Sequence, residues 1–132
     1  MDVGEERIGL AMSDELLLTA QGINSMERKN LKSDLDKIYN LIKENNICEI
    51  VVGLPLNMDG TYSAQTKKVV EFLDNLLEIV NIPVKTHDER LTSIQAERIL
   101  LEADLSRAKR KRLSDKLAAQ IILQSYLDSR KK

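Results

Sequence analysis

Hydrophobic and polar residues alternate near the amino terminus with the two-residue period of a β-strand. From Arg7 to Ser13 every second residue, beginning with Ile8, is large and apolar, and the residues between are small or polar. Gly4 suits a tight turn before this strand, and Ser13-Asp14-Glu15 suits a turn after it. A further strand is predicted over Thr19–Met26, so the first part of the chain should form an antiparallel meander.

From residue 31 the apolar period lengthens to three or four residues, which indicates helices alternating with strands. The first helix has an apolar face formed by Leu31, Leu35, Ile38 and Ile42 and ends at Asn45-Asn46. Ile47–Leu54 is an almost continuous apolar run, typical of a parallel strand buried on both faces. The second helix has an apolar face formed by Val69, Leu73, Leu76, Leu77 and Val80. Pro83–Thr86 is predicted as the last strand.

Two more helices are predicted in the last third of the chain. Thr92 and Gln95 can form a capping box that starts a helix to about Ala103. The basic run Lys109–Arg112 then precedes a final helix from Ser114 to about Ser129. The whole order predicts one α/β domain over residues 1–132, a mixed sheet with helices on both faces, which resembles the order of ribonuclease-H-like domains.

Length and composition support one soluble core. The chain has 132 residues, 42% of them apolar, and no stretch approaches the roughly 20 apolar residues of a membrane span. The amino terminus lacks a basic start leading into an apolar segment, so we expect a cytoplasmic protein without a membrane partner. The single cysteine, Cys48, lies in an apolar run and is expected to be a buried thiol. A disulfide within the chain is excluded.

The formal net charge of −1 conceals an asymmetry along the chain. Residues 105–132 carry nine Lys or Arg and two Asp, a net charge of +7, whereas residues 1–104 carry eleven basic and nineteen acidic groups, a net charge of −8. Because salt screens charges beyond about 8 to 10 Å, a local positive face can bind phosphates on a slightly acidic protein. Two interpretations stay open: a contact with nucleic acid, or a solvated basic helix end.

Acidic residues occur at three positions where a site for nucleic-acid chemistry could form. Hydrolysis of a phosphodiester needs an activated water and neutralisation of the charge on the scissile phosphate, and Mg²⁺ ions supply both. Such hard cations bind oxygen ligands, so the candidate ligands are Asp and Glu. The three positions are Asp2, the pair Asp88-Glu89, and Asp115.

The first two positions also have ordinary structural interpretations. Asp2 directly precedes Val3-Gly4 and could be a turn acid. Asp88 and Glu89 follow a predicted parallel strand, at the end where ligands usually bind. Because adjacent strand residues point to opposite faces, at most one of the two should face the site. Glu89 could instead pair with Arg90 or cap the next helix.

Asp115 is the most informative of the acidic residues. It shares a helical stripe with Ala118, Ala119, Ile122 and Tyr126. It should therefore project from the packed face of the final helix toward the sheet, where an acid needs a partner such as a metal. The alternative is a first-turn acid after Ser114 that interacts with the helix dipole. We assign no role to the single histidine, His87.

Four segments resemble the YqgF, or RuvX, family, known as pre-16S ribosomal RNA nucleases and as Holliday junction resolvase-like proteins. The matching residues are Asp2-Val3-Gly4 with Arg7-Ile8-Gly9 and Ser13-Asp14, Val51 through Gly60, Asp88 through Thr92, and Asp115 through Leu127. They occur in the right order and span nearly the whole chain, which makes chance similarity between them improbable.

The resemblance implies a ribonuclease-H-like fold, a cytoplasmic location and a role in maturing the 5′ end of small-subunit ribosomal RNA. It places the family's acidic site, which binds Mg²⁺ or Mn²⁺, on Asp2, Glu89 and Asp115, in agreement with the chemical interpretation. It also suggests that the loop Leu56–Gly60 lies near the site. The residues expected to contact phosphates are Arg90, Lys109, Arg110, Lys111 and Arg112, because structured RNA is held mostly through its backbone and shape.

The chain departs from the family at its amino terminus. Family members carry several apolar residues before the Asp-Val-Gly segment, as the central first strand, whereas here Met1 stands directly before Asp2. We therefore expect most of that strand to be missing. Either the true start lies upstream or the domain folds with an incomplete sheet, and we favour the first. A free α-amino group beside Asp2 places a cation against a proposed ligand. We expect weak Mg²⁺ binding and lower stability than in a version extended by a strand.

Several functions remain in competition. The leading one is a metal-dependent nuclease acting on ribosomal RNA precursors, and a close variant acts on branched DNA as a Holliday junction resolvase. A different class is a non-catalytic module that assists assembly of the small ribosomal subunit. The actin-like ATPases share an Asp-x-Gly hairpin but clamp nucleotide between two domains, and this chain is long enough for one. The oligomeric state stays open.

Overall fold

The computed structural model describes residues 1–90, 95, 98–101 and 107–130, although the side chains of residues 107, 108, 110–112 and 114 are outside the described set. The elements are β1 (Asp2–Val3), β2 (Arg7–Ser13), β3 (Ala20–Glu27), α1 (Leu31–Glu44), β4 (Ile50–Leu54), α2 (Ala64–Ile79), β5 (Val84–Asp88) and α3 (Arg107–Ser129). Gln95 and residues 98–101 are also helical. The predicted capping residue Thr92 and the predicted helix end Ala103 lie outside the described residues.

The strands form an antiparallel and a parallel group, as the change of period predicted. In the antiparallel group the order is β1-β2-β3, and Asp2 pairs with Gly9. The register of β2 against β3 shifts between Ile8 and Leu10. In the parallel group β4 pairs with β5, and the pair ends with Leu54 opposite Asp88.

Met1 joins the two groups of strands. Its nitrogen donates to the carbonyl oxygen of Val51 at 2.6 Å, and its own carbonyl oxygen accepts from the nitrogen of Gly53 at 2.9 Å. This is the hydrogen-bond pattern of a parallel pair centred on Met1 and Val52. The strands therefore follow the order β3-β2-β1-β4-β5, which confirms the predicted mixed sheet with a short first strand.

Because β1 is short, the edges of β2 and β4 do not meet a strand along their whole length. Between them lies a cavity of about 460 Å³. Its lining includes Leu10 and Met12 of β2, Ile50 of β4, Ile42 of α1 and Leu127 of α3. The lining of this cavity is mainly apolar.

Helices cover both faces of the sheet. Ile8 belongs to a buried cluster with Val52 of β4 and with residues of α1 and α2, such as Ile38 and Leu76. The neighbouring Gly9 faces the backbone of Asp115 in α3. Since adjacent strand residues point to opposite faces, α3 covers the face opposite α1 and α2. In the part of the chain that the structure describes, we find no helix with the length and apolarity needed to cross a membrane.

Three sequence predictions need correction. The strand predicted from Ile47 begins only at Ile50, because the end of α1 closes with a bond from the Ile47 nitrogen to the Ile42 carbonyl oxygen and residues 47–49 form the connection. Cys48 lies in that connection and is exposed, not buried. The final helix begins at Arg107, so the basic run is helical, as expected for residues of high helix propensity without an intervening Gly or Pro.

Candidate active site

Three different elements bring the predicted acidic residues to one region of the sheet. Asp2 lies in the short strand β1, Glu89 directly follows β5, and Asp115 lies on α3. Asp2 pairs with Gly9, which faces the backbone of Asp115. The Glu89 carboxyl group lies over Gly53, whose nitrogen donates to the carbonyl oxygen of Met1. These contacts place Asp2 between the other two residues. Residues separated by up to 113 positions in the sequence form a single acidic cluster.

Glu89 is the most buried member of this cluster, with 9% of its surface exposed. Its backbone nitrogen donates to the carbonyl oxygen of Leu54 at 3.2 Å, which continues the pairing of β5 with β4. Its carboxyl group lies directly over Gly53, where an added β-carbon would be 2.8 Å from the carboxyl carbon. The missing side chain at Gly53 therefore creates the space that Glu89 occupies.

The protonation of the cluster follows from its burial. Burial and then the charge of Asp2 raise the pKa of Glu89 to about 8, while the α-amino group of Met1 acts in the opposite direction. Burial also raises the pKa of Asp2, with Met1 opposing and Asp115 adding to the rise. At neutral pH, and with no metal bound, Glu89 is therefore mostly protonated in the folded protein. A bound cation would reverse this preference by stabilising the carboxylate.

Asp115 has a cationic partner in the same chain. Its Oδ2 atom lies 2.6 Å from Nε of Arg7, and both side chains are about one-quarter exposed. An added β-carbon at Gly9 would overlap the Asp115 carbonyl oxygen, so only a glycine allows α3 to approach β2 this closely. Because α3 begins at Arg107, Asp115 is not a first-turn residue, and the alternative based on the helix dipole is wrong.

The neighbouring acid Asp88 has a different environment from Glu89. It is exposed, and its Oδ2 atom accepts from Nε of Arg90 at 2.8 Å and from the terminal nitrogen Nη2 at 2.7 Å. These bonds hold the pKa of Asp88 below its usual value. The alternation expected for a strand is observed, and Arg90 pairs with Asp88, not with Glu89. Arg90 also donates to the carbonyl oxygen of Met58 at 2.9 Å.

The basic run of the last helix can be placed only in part. Lys109 is exposed on α3. The backbones of Arg110, Lys111 and Arg112 continue the same helix, but their side chains lie outside the described set. The run therefore begins one to two turns before Asp115 on the helix that carries it.

The carboxylates of Asp2 and Glu89 suit a hard cation in their chemistry, although they do not form a closed cage. Within the described residues, no three His, Cys, Asp or Glu side chains are grouped tightly enough to hold an ion. Burial of a carboxyl group is costly, and Mg²⁺ commonly takes one or two carboxylates and completes its shell with water and phosphate. These residues fit such a site.

Sequence reasoning missed three side chains in this region. The sequence pattern placed Arg7 in a strand and predicted no partner for it. Arg7 is the one charged residue on the side of β2 that otherwise carries Gly9, Ala11 and Ser13, and this pattern could have indicated a charged partner on the element packed there. His87 and Ser125 form a hydrogen bond of 2.9 Å between β5 and α3. Both lie beside a second cavity of about 430 Å³, which Glu89 also lines. That contact joins residues 38 positions apart, and no periodicity indicates it.

Comparison with known proteins agrees with this architecture. A protein from Clostridium novyi (strain NT), named "Putative pre-16S rRNA nuclease", is 50% identical over 129 residues, covering 98% of this chain and 96% of that protein. A protein of the same name from Desulforamulus reducens is 45% identical, covering 98% and 94%. In a crystal structure with substrate Holliday junction DNA, the Fowlpox virus resolvase matches the fold with a TM-score of 0.59 at 14% identity, covering 99% of this chain and 96% of that one.

A family model also matches the chain directly. It is described as RuvX: Holliday junction resolvase, and it covers residues 1–129, which include all three acidic positions. The resemblance inferred from four short segments is therefore confirmed over almost the whole chain. This protein belongs to the RuvX family.

Proposed function

We propose that this protein is a divalent-metal-dependent nuclease that processes the 5′ end of pre-16S ribosomal RNA. The observation that carries the proposal is the buried carboxyl group of Glu89, which lies beside Asp2 at the carboxyl end of β5. Burying two interacting carboxyl groups is costly, and groups with strongly shifted pKa values occur preferentially at functional sites. The names of the relatives from Clostridium novyi and Desulforamulus reducens supply the substrate.

In this proposal Asp2, Glu89 and Asp115 hold Mg²⁺ or Mn²⁺. The metal would neutralise charge on the scissile phosphate and lower the pKa of a bound water, which is the chemistry that phosphodiester hydrolysis requires. The chain's own residues prepare the site. Gly53 leaves room for the Glu89 carboxyl group, Gly9 brings α3 against β2, and Arg7 compensates the charge of Asp115.

The nucleic acid would approach the side of the molecule on which these three carboxyl groups lie. Lys109, Arg110, Lys111 and Arg112 remain predicted phosphate contacts, and their run on α3 extends the positive region toward the amino-terminal end of that helix. Arg90, also predicted as a phosphate contact, already binds the Asp88 carboxylate and the Met58 carbonyl oxygen. We place the protein in the cytoplasm, where its precursor RNA is made, with the small ribosomal subunit as a partner.

Branched DNA is the second candidate substrate, and the description of the family model favours it. The two substrates share a phosphate backbone and differ in shape, so the same acidic cluster could act on either. Cleavage of a precursor RNA containing the 16S 5′ end, compared with cleavage of a four-way DNA junction under the same Mg²⁺ concentration, separates them. We expect the RNA to be the better substrate.

Site variants test the chemistry itself. Asp2→Asn, Glu89→Gln and Asp115→Asn should each lower cleavage by at least on the order of 100-fold, since even outer-shell partners of metal ligands are worth up to about 100-fold. Glu5→Gln is the matched control, because Glu5 is exposed and pairs with Lys68 away from the cluster. Wild-type activity in the three site variants would refute the assignment. Ribosome binding that survives loss of all three acids, without cleavage, would support the non-catalytic assembly module.

A further inference from the structure

The loop Asn57–Thr61 is a compact unit with its own hydrogen bonds. The nitrogen of Asn57 donates to the carbonyl oxygen of Thr61 at 2.9 Å, and the nitrogen of Gly60 donates to that of Asn57 at 2.8 Å. Asp59 accepts from the Thr61 nitrogen at 3.0 Å and from its hydroxyl at 2.6 Å. Gly60 has a φ of +86°, which suits glycine. The loop therefore keeps its own shape, and a contact from outside the loop can fix its position more firmly.

Arg90 provides such a contact from the end of β5. Its guanidinium group binds the Asp88 carboxylate through Nε and Nη2 and the Met58 carbonyl oxygen through Nη1. The backbone nitrogen of Arg90 also donates to Oδ1 of Asp88 at 3.1 Å, so the pair is rigidly joined to the strand. One planar group thus connects the loop to the segment that carries Glu89.

The loop and the strand end form two sides of the cavity of about 430 Å³. Met58, Arg90 and Glu89 line it together with Ile121 and Ser125 of α3. Met58 is 66% exposed at the edge of this cavity, so its side chain is accessible to a ligand there. A thioether makes favourable contacts with aromatic rings, including those of nucleobases.

We infer that Arg90 is a positioning residue, which holds the loop Asn57–Thr61 as a wall of the substrate cleft beside Glu89 and presents Met58 to the nucleic acid. This inference deepens the proposed nuclease function and depends on it for the identity of the substrate. Direct binding of a phosphate by Arg90 is the competing interpretation. The two differ in what the side chain contacts: the protein's own carbonyl and carboxylate, or the RNA backbone.

Hydrogen exchange of the Asn57, Gly60 and Thr61 amides tests the position of the loop without any nucleic acid. Arg90→Lys keeps the charge but loses the planar fork, and Asp88→Asn breaks the pair from its other side. Both should accelerate exchange by about 10-fold, as loss of charge-assisted bonds predicts. Lys85→Gln, at an exposed lysine of the same strand, should leave it unchanged. Unchanged exchange in both Arg90→Lys and Asp88→Asn would overturn the inference.

Binding and kinetics with the precursor RNA separate positioning from phosphate contact. With EDTA present to prevent cleavage, Arg90→Ala should leave the slope of log Kd against log salt unchanged, whereas a lost phosphate contact would lower it by about 0.7 to 0.9. In the presence of Mg²⁺, Arg90→Ala and Met58→Ala should each raise KM by about 10-fold with little change in kcat, and the double variant should add nothing. A reduced salt slope, or additive effects on KM, would overturn the inference.

A failure of the proposed function is distinguishable from a failure of this inference. If the protein binds no precursor RNA, the proposed function fails, while the exchange experiment still decides whether Arg90 fixes the loop. Tighter RNA binding by Asp88→Asn, without faster exchange in the loop, would instead identify Arg90 as a phosphate ligand that Asp88 restrains.

Discussion

The guanidinium group of Arg7 lies 2.6 Å from the Asp115 carboxylate and joins the second strand to the last helix. The same carboxylate is one of the three proposed metal ligands, so Arg7 and a cation would compete for it. In the metal-free protein Arg7 neutralises Asp115 and permits α3 to pack against the sheet. The pair is therefore expected to affect metal affinity as well as stability.

Replacement of Arg7 tests this competition. Arg7→Gln should tighten Mg²⁺ binding, measured by calorimetry, because the cation no longer displaces an ion pair. It should cost at most about 1 kcal/mol of unfolding free energy, since the pair is partly exposed. Lys68→Gln breaks an exposed pair with Glu5 and is the control. Unchanged Mg²⁺ affinity in Arg7→Gln would exclude Asp115 as a ligand.

The raised pKa of Glu89 predicts a pH-dependent stability for the metal-free protein. An ordinary Glu ionises near pH 4.5, but folded Glu89 retains its proton to about pH 8. Between these values Glu89 binds more protons in the folded state than in the unfolded state, which lowers the unfolding free energy as pH rises. Burial lowers the pKa of the Met1 α-amino group to about 6, which opposes this effect above that pH. The unfolding free energy should therefore fall between about pH 4.5 and 6 and level off above it. Urea titrations in EDTA should show this decline, and Glu89→Gln should reduce it. A smaller decline of the unfolding free energy should persist in Glu89→Gln, because the pKa of Asp2 is also raised.

Metal binding should depend on pH for the same reason. A cation must displace the proton of Glu89, so Mg²⁺ affinity should rise up to about tenfold per pH unit below pH 8 and level off above it. Calorimetry in buffers of different ionisation enthalpy would measure the released proton directly. In Glu89→Gln the Mg²⁺ affinity should be weaker, and it should vary much less with pH because residue 89 has no proton to release. Pronounced proton release in this variant would contradict the assignment.

The close approach of α3 to β2 gives a prediction about packing. Gly9→Ala would place a β-carbon against the Asp115 carbonyl oxygen and should destabilise the protein by about 1 to 3 kcal/mol. Displacement of α3 should also lower cleavage by moving Asp115. Gly60→Ala is a useful comparison, because its β-carbon meets only the Arg90 side chain at 3.8 Å and its cost comes from the φ of +86°. Equal helix positions in Gly9→Ala and the wild type would contradict this explanation.

The cavity between β2 and β4 predicts the effect of filling it. Four apolar residues added before Met1 could continue β1, pair with both strand edges and bury apolar surface in about 460 Å³. They should raise Tm by several degrees. The buried α-amino group, whose pKa is lowered to about 6, would also move away from Asp2. An extension of Gly and Ser with the same length controls for the displacement of that group. Equal Tm values for the two extensions would show that the cavity does not accept a strand.

The sequence by itself determined the order of the elements and the residue types of the acidic cluster. Strands and helices could be predicted from the two-residue period of Arg7–Ser13 and from the longer period after Leu31. Burial of one face of a strand or helix imposes these repeats on the sequence. Motif resemblance then singled out Asp2, Glu89 and Asp115. The start of α3 was missed because a run of basic residues has no apolar period, although its helix propensity is high.

Only the tertiary structure decided which side chains meet. Arg7 and Asp115 are separated by 108 positions, and Arg90 and Met58 by 32, so their contacts depend on how sheet and helices pack. The different environments of Asp88 and Glu89 likewise follow from packing, since Glu89 lies over Gly53 and Asp88 pairs with Arg90. A local sequence pattern shows which face of an element is buried. It does not show which side chains of other elements meet that face. An ion pair or a buried carboxyl group depends on those contacts, which exist only in the folded chain.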